Sequence, residues 1–269
     1  MQESIIITKQ GKLTGPTVAI FAGVHGNEKV GVMAIERMCQ LEIERGTAHF
    51  VIANPEALEK NVRFVEANLN RRFLENNTGT ALEDDLARNL MKLLDTCDGL
   101  LDLHACNEPD IEPFVICEEL SLEFARAFDV KTISMGWKDF EAGSTDAYID
   151  RRGKIGIGLE CGSASQPEQY LEFAQEAIRV FLGKFSCITH TAQPRTDQKI
   201  IKIIGAIPMP ESGITFRQNY KTFDLIKKGE VFATSANEEH VCREDALIIF
   251  PRPQAPVGAE ACLMATLIS

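Results

Sequence analysis

The sequence predicts an α/β fold, in which helices flank a mostly parallel sheet, followed by a small β-rich C-terminal domain. Up to about residue 188, short apolar runs alternate with segments of helical periodicity, which is typical of a parallel sheet covered on both faces. A polar stretch with a proline follows at 189–198, and the later apolar runs are short and separated by glycines and prolines. We therefore expect an α/β domain at 1–188 and a β-rich domain at 199–269, which a chain of 269 residues can accommodate.

Five apolar runs in the first domain have the length and the flanking residues of buried strands. The first of them ends in a glycine, and the second is stopped by an Asn-Pro pair. The predicted strands are 17–23, 48–55, 99–104, 113–118 and 154–162.

Three segments place apolar residues at helical spacing, at 28–44, 82–94 and 165–185. The second repeats leucine along one face, and the third opens on Ser165, a residue type that caps helix N-termini. Beyond the polar stretch, four runs predict a small all-β domain, such as a partial barrel. These runs are 199–207, 229–236, 246–251 and 261–268.

The charge and the apolar pattern exclude several classes of partner. The formal net charge is -11, and such an acidic surface repels the phosphates of nucleic acids. No apolar stretch approaches the ~20 residues that a membrane span needs, and the N-terminal residues lack a basic segment typical of a signal peptide. We expect a cytoplasmic protein with no membrane and no nucleic-acid partner, and the sequence leaves a homo-oligomer open.

The eight cysteines are scattered and form no C-x-x-C pair. In a cytoplasmic chain this pattern predicts reduced thiols, and it argues against a disulfide framework or an all-cysteine zinc site.

Reactive side chains follow three of the predicted strands. The first strand leads into "GVHGNE" with His25 and Glu28, another ends in "DLH" with Asp102 and His104, and a third ends in "LECG" with Glu160. If these strands are parallel, their ends share one edge of the sheet, where sites of open α/β sheets form.

Two histidines and one carboxylate are the ligand set of a catalytic zinc, which keeps a fourth position open. Asp102 would then orient the ring of His104, and Glu160 would be free to accept a proton from water. The alternative for each residue is structural. A lone H-x-x-E pair arises by chance, a strand-end histidine is often satisfied in the core, and a strand-end glutamate often caps the next helix.

An arginine-rich segment, 54–73, stands out in this acidic chain. Arginine binds carboxylates through two parallel hydrogen bonds, so this segment could hold an anionic substrate. The alternative is that Arg63, Arg71 and Arg72 form ion pairs with nearby glutamates on a solvated face. For Arg72 we expect a solvated ion pair with one of the glutamates of this region, which are Glu59, Glu66 and Glu75.

Taken in order, these motifs resemble those of the aspartoacylase/succinylglutamate desuccinylase family, which belongs to the zinc-carboxypeptidase superfamily. They are "GVHGNE", "NP" with "NVRF", "NLNRRF", "DLH" and "LECG", within residues ~17 to 185. The resemblance implies a zinc-carboxypeptidase-like fold and one Zn²⁺ per chain, bound by His25, Glu28 and His104.

The resemblance also implies roles around the metal. Glu160 would be the general base, Arg63 would polarise the scissile carbonyl, and Asn70 with Arg71 would hold the carboxylate of the substrate. "GSTDAY" (143–148) is similar to a superfamily segment near the substrate-binding tyrosine, so Tyr148 is a candidate for substrate binding, with helix packing as the alternative.

One position departs from the family pattern. The usual Asp-Leu-Asn-Arg reads here as Asn68-Leu69-Asn70-Arg71. We expect the missing acid to change either the orientation of Arg71 or the charge of the pocket.

The sequence therefore predicts a zinc-dependent amidohydrolase that acts on an N-acyl amino acid, a small molecule with a free carboxylate. A zinc carboxypeptidase acting on short peptides would use the same groups. A non-catalytic, zinc-stabilised binding protein is the alternative of another class, in which Glu160 has no chemical role.

Overall fold

The computed structural model describes residues 2–193, 195–236 and 238–268. The chain divides into two compact units, one made of the residues up to Ile133 with Trp137–Gln198, and one made of Ser134–Gly136 with the residues from Lys199 onward. The first unit carries strands and helices, and the described residues of the second unit form strands and turns. The predicted α/β fold with a small β-rich C-terminal part is confirmed.

In the first unit the strands form a mixed sheet in the order β1-β3-β2-β4-β7-β5, and β6 follows β5, with Thr132 and Ile133 in this unit. The central strands β3, β2, β4 and β7 are parallel, while β1 and β5 run antiparallel to their neighbours. The strands are β1 (Ile5–Gln10), β2 (Leu13–Ala22), β3 (Arg45–Ile52), β4 (Gly99–Cys106), β5 (Phe114–Cys117), β6 (Thr132–Met135) and β7 (Ile155–Ser163).

The helices of this unit are α1 (Lys29–Met38), α2 (Pro55–Lys60), α3 (Leu82–Asp95), α4 (Leu122–Ala125), α5 (Thr145–Asp150) and α6 (Leu171–Lys184). Two predicted helices are longer than the observed ones. α1 ends at Met38, and α6 starts after the 3₁₀ turn Pro167–Tyr170, in which proline supplies the first residue.

The strands of the second unit pair antiparallel, in the orders β8-β14-β13-β10 and β12-β11-β9. Its strands are β8 (Lys199–Pro208), β9 (Thr215–Phe216), β10 (Leu225–Ile226), β11 (Val231–Ser235), β12 (Glu238–Val241), β13 (Ala246–Ile249) and β14 (Glu260–Leu267). It has its own apolar core, which includes Ile226, Phe232 and Ile248.

The sheet register brings the three reactive strand ends together. Ala22 at the end of β2 pairs with Leu103 of β4, and His104 of β4 pairs with Glu160 of β7. Because all three strands are parallel, the segments that follow β2, β4 and β7 share one edge, as the sequence predicted.

Two further expectations can be compared with the described residues. All eight cysteines are free and buried, in agreement with the predicted reduced thiols. Among the described residues, none of the helices has the length and apolar character to cross a membrane.

Candidate metal centre and active site

The turn after β2 is built so that His25 and Glu28 face the same point. Gly23 adopts a positive φ of 65°, which glycine tolerates without strain. A Cβ on Gly26 would lie 2.1 Å from the backbone carbon of Ala57 in α2, so only glycine lets the turn pass this helix. The backbone N–H of Glu28 then donates to the carbonyl of His25 at 3.2 Å, and α1 begins at the next residue.

His25, Glu28 and His104 converge in a buried cluster. The Nδ1 atoms of His25 and His104 lie 2.8 Å and 3.0 Å from the two carboxylate oxygens of Glu28. Their potential ligand atoms all lie within 4.8 Å of one another, and each residue is at most 6% exposed. The structure therefore brings together the three residues that the sequence predicts as metal ligands.

Each imidazole is oriented by a second partner on its other nitrogen. His25 Nε2 is 3.0 Å from the amide oxygen of Asn68, and His104 Nε2 is 3.0 Å from a carboxylate oxygen of Asp102. Thr145, the first residue of α5, donates its hydroxyl to the same Asp102 oxygen at 2.5 Å. Since an oxygen partner takes the Nε2–H, both rings turn Nδ1 toward Glu28.

Asn68, which stands where the family pattern has an acid, contacts His25. In addition to the contact with His25, the Asn68 amide oxygen accepts the backbone N–H of Asn70 at 3.0 Å. The two rings thus have unlike partners, because His104 faces a carboxylate and His25 faces a neutral amide.

The electrostatics of the cluster are those of a site that holds positive charge. Burial would raise the pKa of Glu28, but the two histidines outweigh burial and hold it well below its usual value. Burial would lower the pKa of His104, yet Asp102 and Glu28 together raise it well above its usual range. Burial lowers the pKa of His25, which favours the neutral imidazole, the form that binds a metal.

This donor set fits a zinc ion. Two imidazoles and one carboxylate match the ligands of catalytic zinc sites. His25 Nδ1 is buried and lies 2.8 Å from Glu28 Oε1, yet it forms no hydrogen bond of acceptable geometry with it. A metal ion would satisfy this nitrogen, and the partners on both Nε2 atoms are those that metal-binding histidines commonly have.

Glu160 lies beside the cluster on β7, where its main chain pairs with that of His104. Burial is the largest cause that raises its pKa to about 7, with Glu28 adding to the rise and His104 opposing it. A carboxyl group with a pKa near neutrality is suited to accept and return a proton at neutral pH.

Cys106 is a site residue that the sequence interpretation missed. Its buried thiol donates a hydrogen bond to Glu160 Oε2, with a separation of 3.1 Å, and burial raises the pKa of the thiol well above its usual value. A residue two positions after His104 on the same strand face could have indicated this contact. However, the pairing of β4 with β7 shifts register between His104 and Cys106, so side-chain alternation alone does not predict the contact with Glu160.

We expect Cys106→Ala to lower kcat about 3- to 10-fold, because one hydrogen bond that holds the Glu160 carboxylate is lost. Cys106→Ser retains a donor of similar size and is the matched control, with kcat close to that of the wild type. Steady-state hydrolysis rates of the three proteins check this. Equal rates for the alanine and wild-type proteins would mean that the thiol does not position Glu160.

Arg63 is anchored to the metal cluster itself. Its Nη1 lies 2.9 Å from Glu28 Oε1, and its backbone carbonyl accepts the N–H of Gly26. The Arg63 side chain is partly exposed while the Glu28 side chain is buried, so the guanidinium reaches from solvent to the cluster. A group in this place can face a carbonyl oxygen that approaches the metal.

Asn70 and Arg71 lie on the 3₁₀ turn Leu69–Arg71, next to the start of α5. The amide oxygen of Asn70 accepts the backbone N–H of Thr145 at 3.0 Å. Arg71 donates to the Asn70 carbonyl at 2.9 Å and forms an ion pair with Glu141. The sequence did not indicate Glu141, whose position depends on a contact 70 residues away along the chain.

Tyr148 does not lie where the sequence interpretation expected it. Its ring is 2% exposed and belongs to the apolar core, and its hydroxyl donates to Asp95 at the end of α3, at 2.8 Å. Arg152 stacks over the ring, 3.9 Å from its centroid. The packing alternative is therefore the one the structure supports, and Thr145, from the same "GSTDAY" segment, is the residue that supports the site.

A buried glutamate, which the sequence interpretation also missed, shapes the arginine segment. The Glu83 side chain is fully buried and accepts the backbone N–H groups of Val65 and Ala67 at 2.7 Å and 3.0 Å. It also accepts from the side chain of Asn54 at 3.1 Å. Arg72 lies 3.6 Å from Asp84, the neighbour of Glu83, instead of pairing with one of the predicted glutamates.

Comparison with known proteins identifies the family. The model of the succinylglutamate desuccinylase/aspartoacylase catalytic domain matches residues 14–183. An N-acyl-aromatic-L-amino acid amidohydrolase (carboxylate-forming) of Rattus norvegicus is 27% identical, over 87% of this chain and 84% of that protein. A succinylglutamate desuccinylase of Pseudomonas syringae pv. tomato is 24% identical, over 94% of this chain and 83% of that protein.

A solved structure shows the same fold. The succinylglutamate desuccinylase of Vibrio cholerae superposes with a TM-score of 0.82 at 19% identity, covering 95% of this chain and 82% of that one. Since the family model spans well over half of the sequence, this chain belongs to the succinylglutamate desuccinylase/aspartoacylase family.

Proposed function

We propose that this protein is a zinc-dependent amidohydrolase that cleaves the acyl-amide bond of an N-acyl amino acid. The observation that carries the proposal is the buried His25, Glu28 and His104 cluster with Glu160 beside it, whose pKa is raised to about 7. The relatives support it, because their names describe amide hydrolases, an N-acyl-aromatic amino acid amidohydrolase and a desuccinylase.

The metal-binding residues and Glu160 have different roles in the proposed reaction. A zinc ion held by His25, Glu28 and His104 would polarise the scissile carbonyl and make a nearby water more acidic. Glu160 accepts a proton as this water adds to the carbonyl carbon. It returns the proton to the nitrogen as the C–N bond breaks, which releases a carboxylic acid and an amino acid.

The arginines bind and orient the substrate. Arg63, fixed by its ion pair with Glu28, donates to the carbonyl oxygen, where negative charge develops as water adds. Arg71 binds the free carboxylate of the substrate, and Asn70 fixes the turn that carries it through its bond to Thr145.

A hydrolysis screen tests this function. Zinc-loaded protein is incubated with N-acyl amino acids (formyl, acetyl, propionyl and benzoyl) and, in parallel, with dipeptides, each with and without a chelator. We expect chelator-sensitive release of the amino acid from the N-acyl compounds. Faster cleavage of dipeptides would favour a carboxypeptidase, and a protein that chelation destabilises but that hydrolyses neither class would be a zinc-stabilised binding protein.

We expect Arg71→Ala to lower kcat/KM for an N-acyl amino acid by roughly 30-fold or more. The reason is that removing a desolvated charged partner costs about 2–5 kcal/mol. Steady-state kinetics on the best substrate of the screen measure this loss.

The control for Arg71 is the α-amide of the same substrate, which lacks the charge. Wild-type protein should discriminate strongly against the amide, and Arg71→Ala should discriminate little. If both proteins discriminate equally, Arg71 does not recognise the carboxylate.

A further inference from the structure

Each arginine that the active site presents is already paired with a carboxylate of the protein. Arg63 is paired with Glu28, the central residue of the metal cluster, and Arg71 is paired with Glu141. The positive charge available to an anionic substrate is therefore smaller than the number of arginines suggests.

The pair between Arg71 and Glu141 is part of a packed contact between two chain segments. A Cβ on Gly143 would lie 2.4 Å from the Arg71 carbonyl oxygen, and the Gly143 carbonyl accepts the N–H of Phe73 at 3.0 Å. The Glu141 side chain is only 13% exposed. The contact between the two backbones places Glu141 beside Arg71.

The donors of Arg71 that its protein partners leave unused can hold one carboxylate of the substrate. Arginine carries five N–H donors, and Arg71 uses donors of Nη1 and Nη2 for Asn70 and Glu141. The other donors suffice for a bidentate contact with a single carboxylate. A second carboxylate nearby would face the negative charge of Glu141.

Arg151 and Arg152, the residues that follow α5, have partners of their own. Arg151 donates to the carbonyls of Ala142 and Phe73 at 2.6 Å and 2.8 Å. Arg152 binds Asp95 and Glu75 at 2.6 Å and 2.7 Å. Both side chains are therefore held by protein partners, Arg151 by two backbone carbonyls and Arg152 by two carboxylates.

From these contacts we infer that the substrate has a single carboxylate, the one beside the scissile amide, and that Glu141 determines this specificity. The amino acid released is neutral or basic, and the acyl group is uncharged. Acidic amino acids and dicarboxylic acyl groups are disfavoured. The inference rests on the proposed function and specifies its substrate class.

Pairs of nearly isosteric substrates test the inference on the wild-type protein. N-acetyl-L-asparagine is compared with N-acetyl-L-aspartate, and N-acetyl-L-glutamine with N-acetyl-L-glutamate. We expect kcat/KM to be about 10-fold or more higher for the uncharged member of each pair. The reason is that the second carboxylate of the acidic member is repelled by Glu141 and is left without a cationic partner. Equal or higher kcat/KM for the acidic members would overturn the inference and leave the proposed function intact.

A charge-removing variant tests the role of Glu141 itself. Glu141→Gln should lower the ratio of kcat/KM for the neutral substrate to kcat/KM for the acidic one by about 5-fold or more, whereas Glu176→Gln removes the same charge from α6, outside the site, and should leave the ratio unchanged. Equal ratios in the two variants would mean that Glu141 does not determine the specificity. If no N-acyl amino acid is hydrolysed by zinc-loaded wild-type protein, the proposed function fails, and the inference fails with it.

Discussion

Glu160→Gln should lower kcat by a factor on the order of 10²–10⁴, the usual contribution of a general base, while the zinc content stays unchanged. Glutamine has the shape of glutamate but cannot accept the proton from water. The structure makes the carboxylate the decisive feature, since burial raises its pKa to about 7 and Cys106 holds it at 3.1 Å. The measurement is kcat together with zinc per chain, and a variant that turns over at the wild-type rate would make Glu160 structural.

The stability of metal-free Glu160→Gln distinguishes a catalytic role of Glu160 from a structural one. The pKa of Glu160 in the folded chain, about 7, exceeds its usual value of 4.5. Its contribution to stability is therefore favourable below about pH 4.5 and is lost as the pH rises through about 7. At pH 8 the glutamine variant should be at least as stable as the wild type in urea unfolding, so a large loss of kcat could not be ascribed to unfolding.

His104→Ala should remove most of the bound zinc. Wild-type protein should carry about one zinc per chain, as in three-ligand catalytic sites. The alanine variant loses one of the three ligands, and it also leaves Asp102 without the imidazole that it holds at 3.0 Å. Metal analysis of the purified proteins measures the difference.

The matched control is His190→Ala, since His190 pairs with Glu176 on α6 and has no contact with the cluster among the described residues. It should retain its zinc. Near-stoichiometric zinc in a protein with both His25→Ala and His104→Ala would contradict the assignment of the site.

The sequence carried enough information for the fold and for the metal cluster. Strands such as 99–104 are continuous apolar runs because both faces of a parallel sheet are covered, so their ends could be located. Once the strands are parallel, the placement of His25, His104 and Glu160 at one edge follows from topology alone. The family expected from the motifs is confirmed by the match to its catalytic domain.

The rest of the site depends on contacts between distant residues, which spacing does not encode. Glu141 meets Arg71 through a contact between two loops, and Cys106 reaches Glu160 across a register shift. Tyr148 was expected in the site because of a local motif, but its hydroxyl finds Asp95 at the end of α3. The edge strand β1 was missed because it alternates partly buried with exposed residues and offers only a short apolar run.

The most direct test of the central claim is a zinc titration of the metal-free protein, followed by hydrolysis of an N-acyl amino acid. We predict negligible activity without metal and an increase in proportion to added zinc, which stops at about one equivalent per chain. Full activity in protein freed of zinc by a chelator would contradict the claim that His25, Glu28 and His104 hold the metal that this reaction needs.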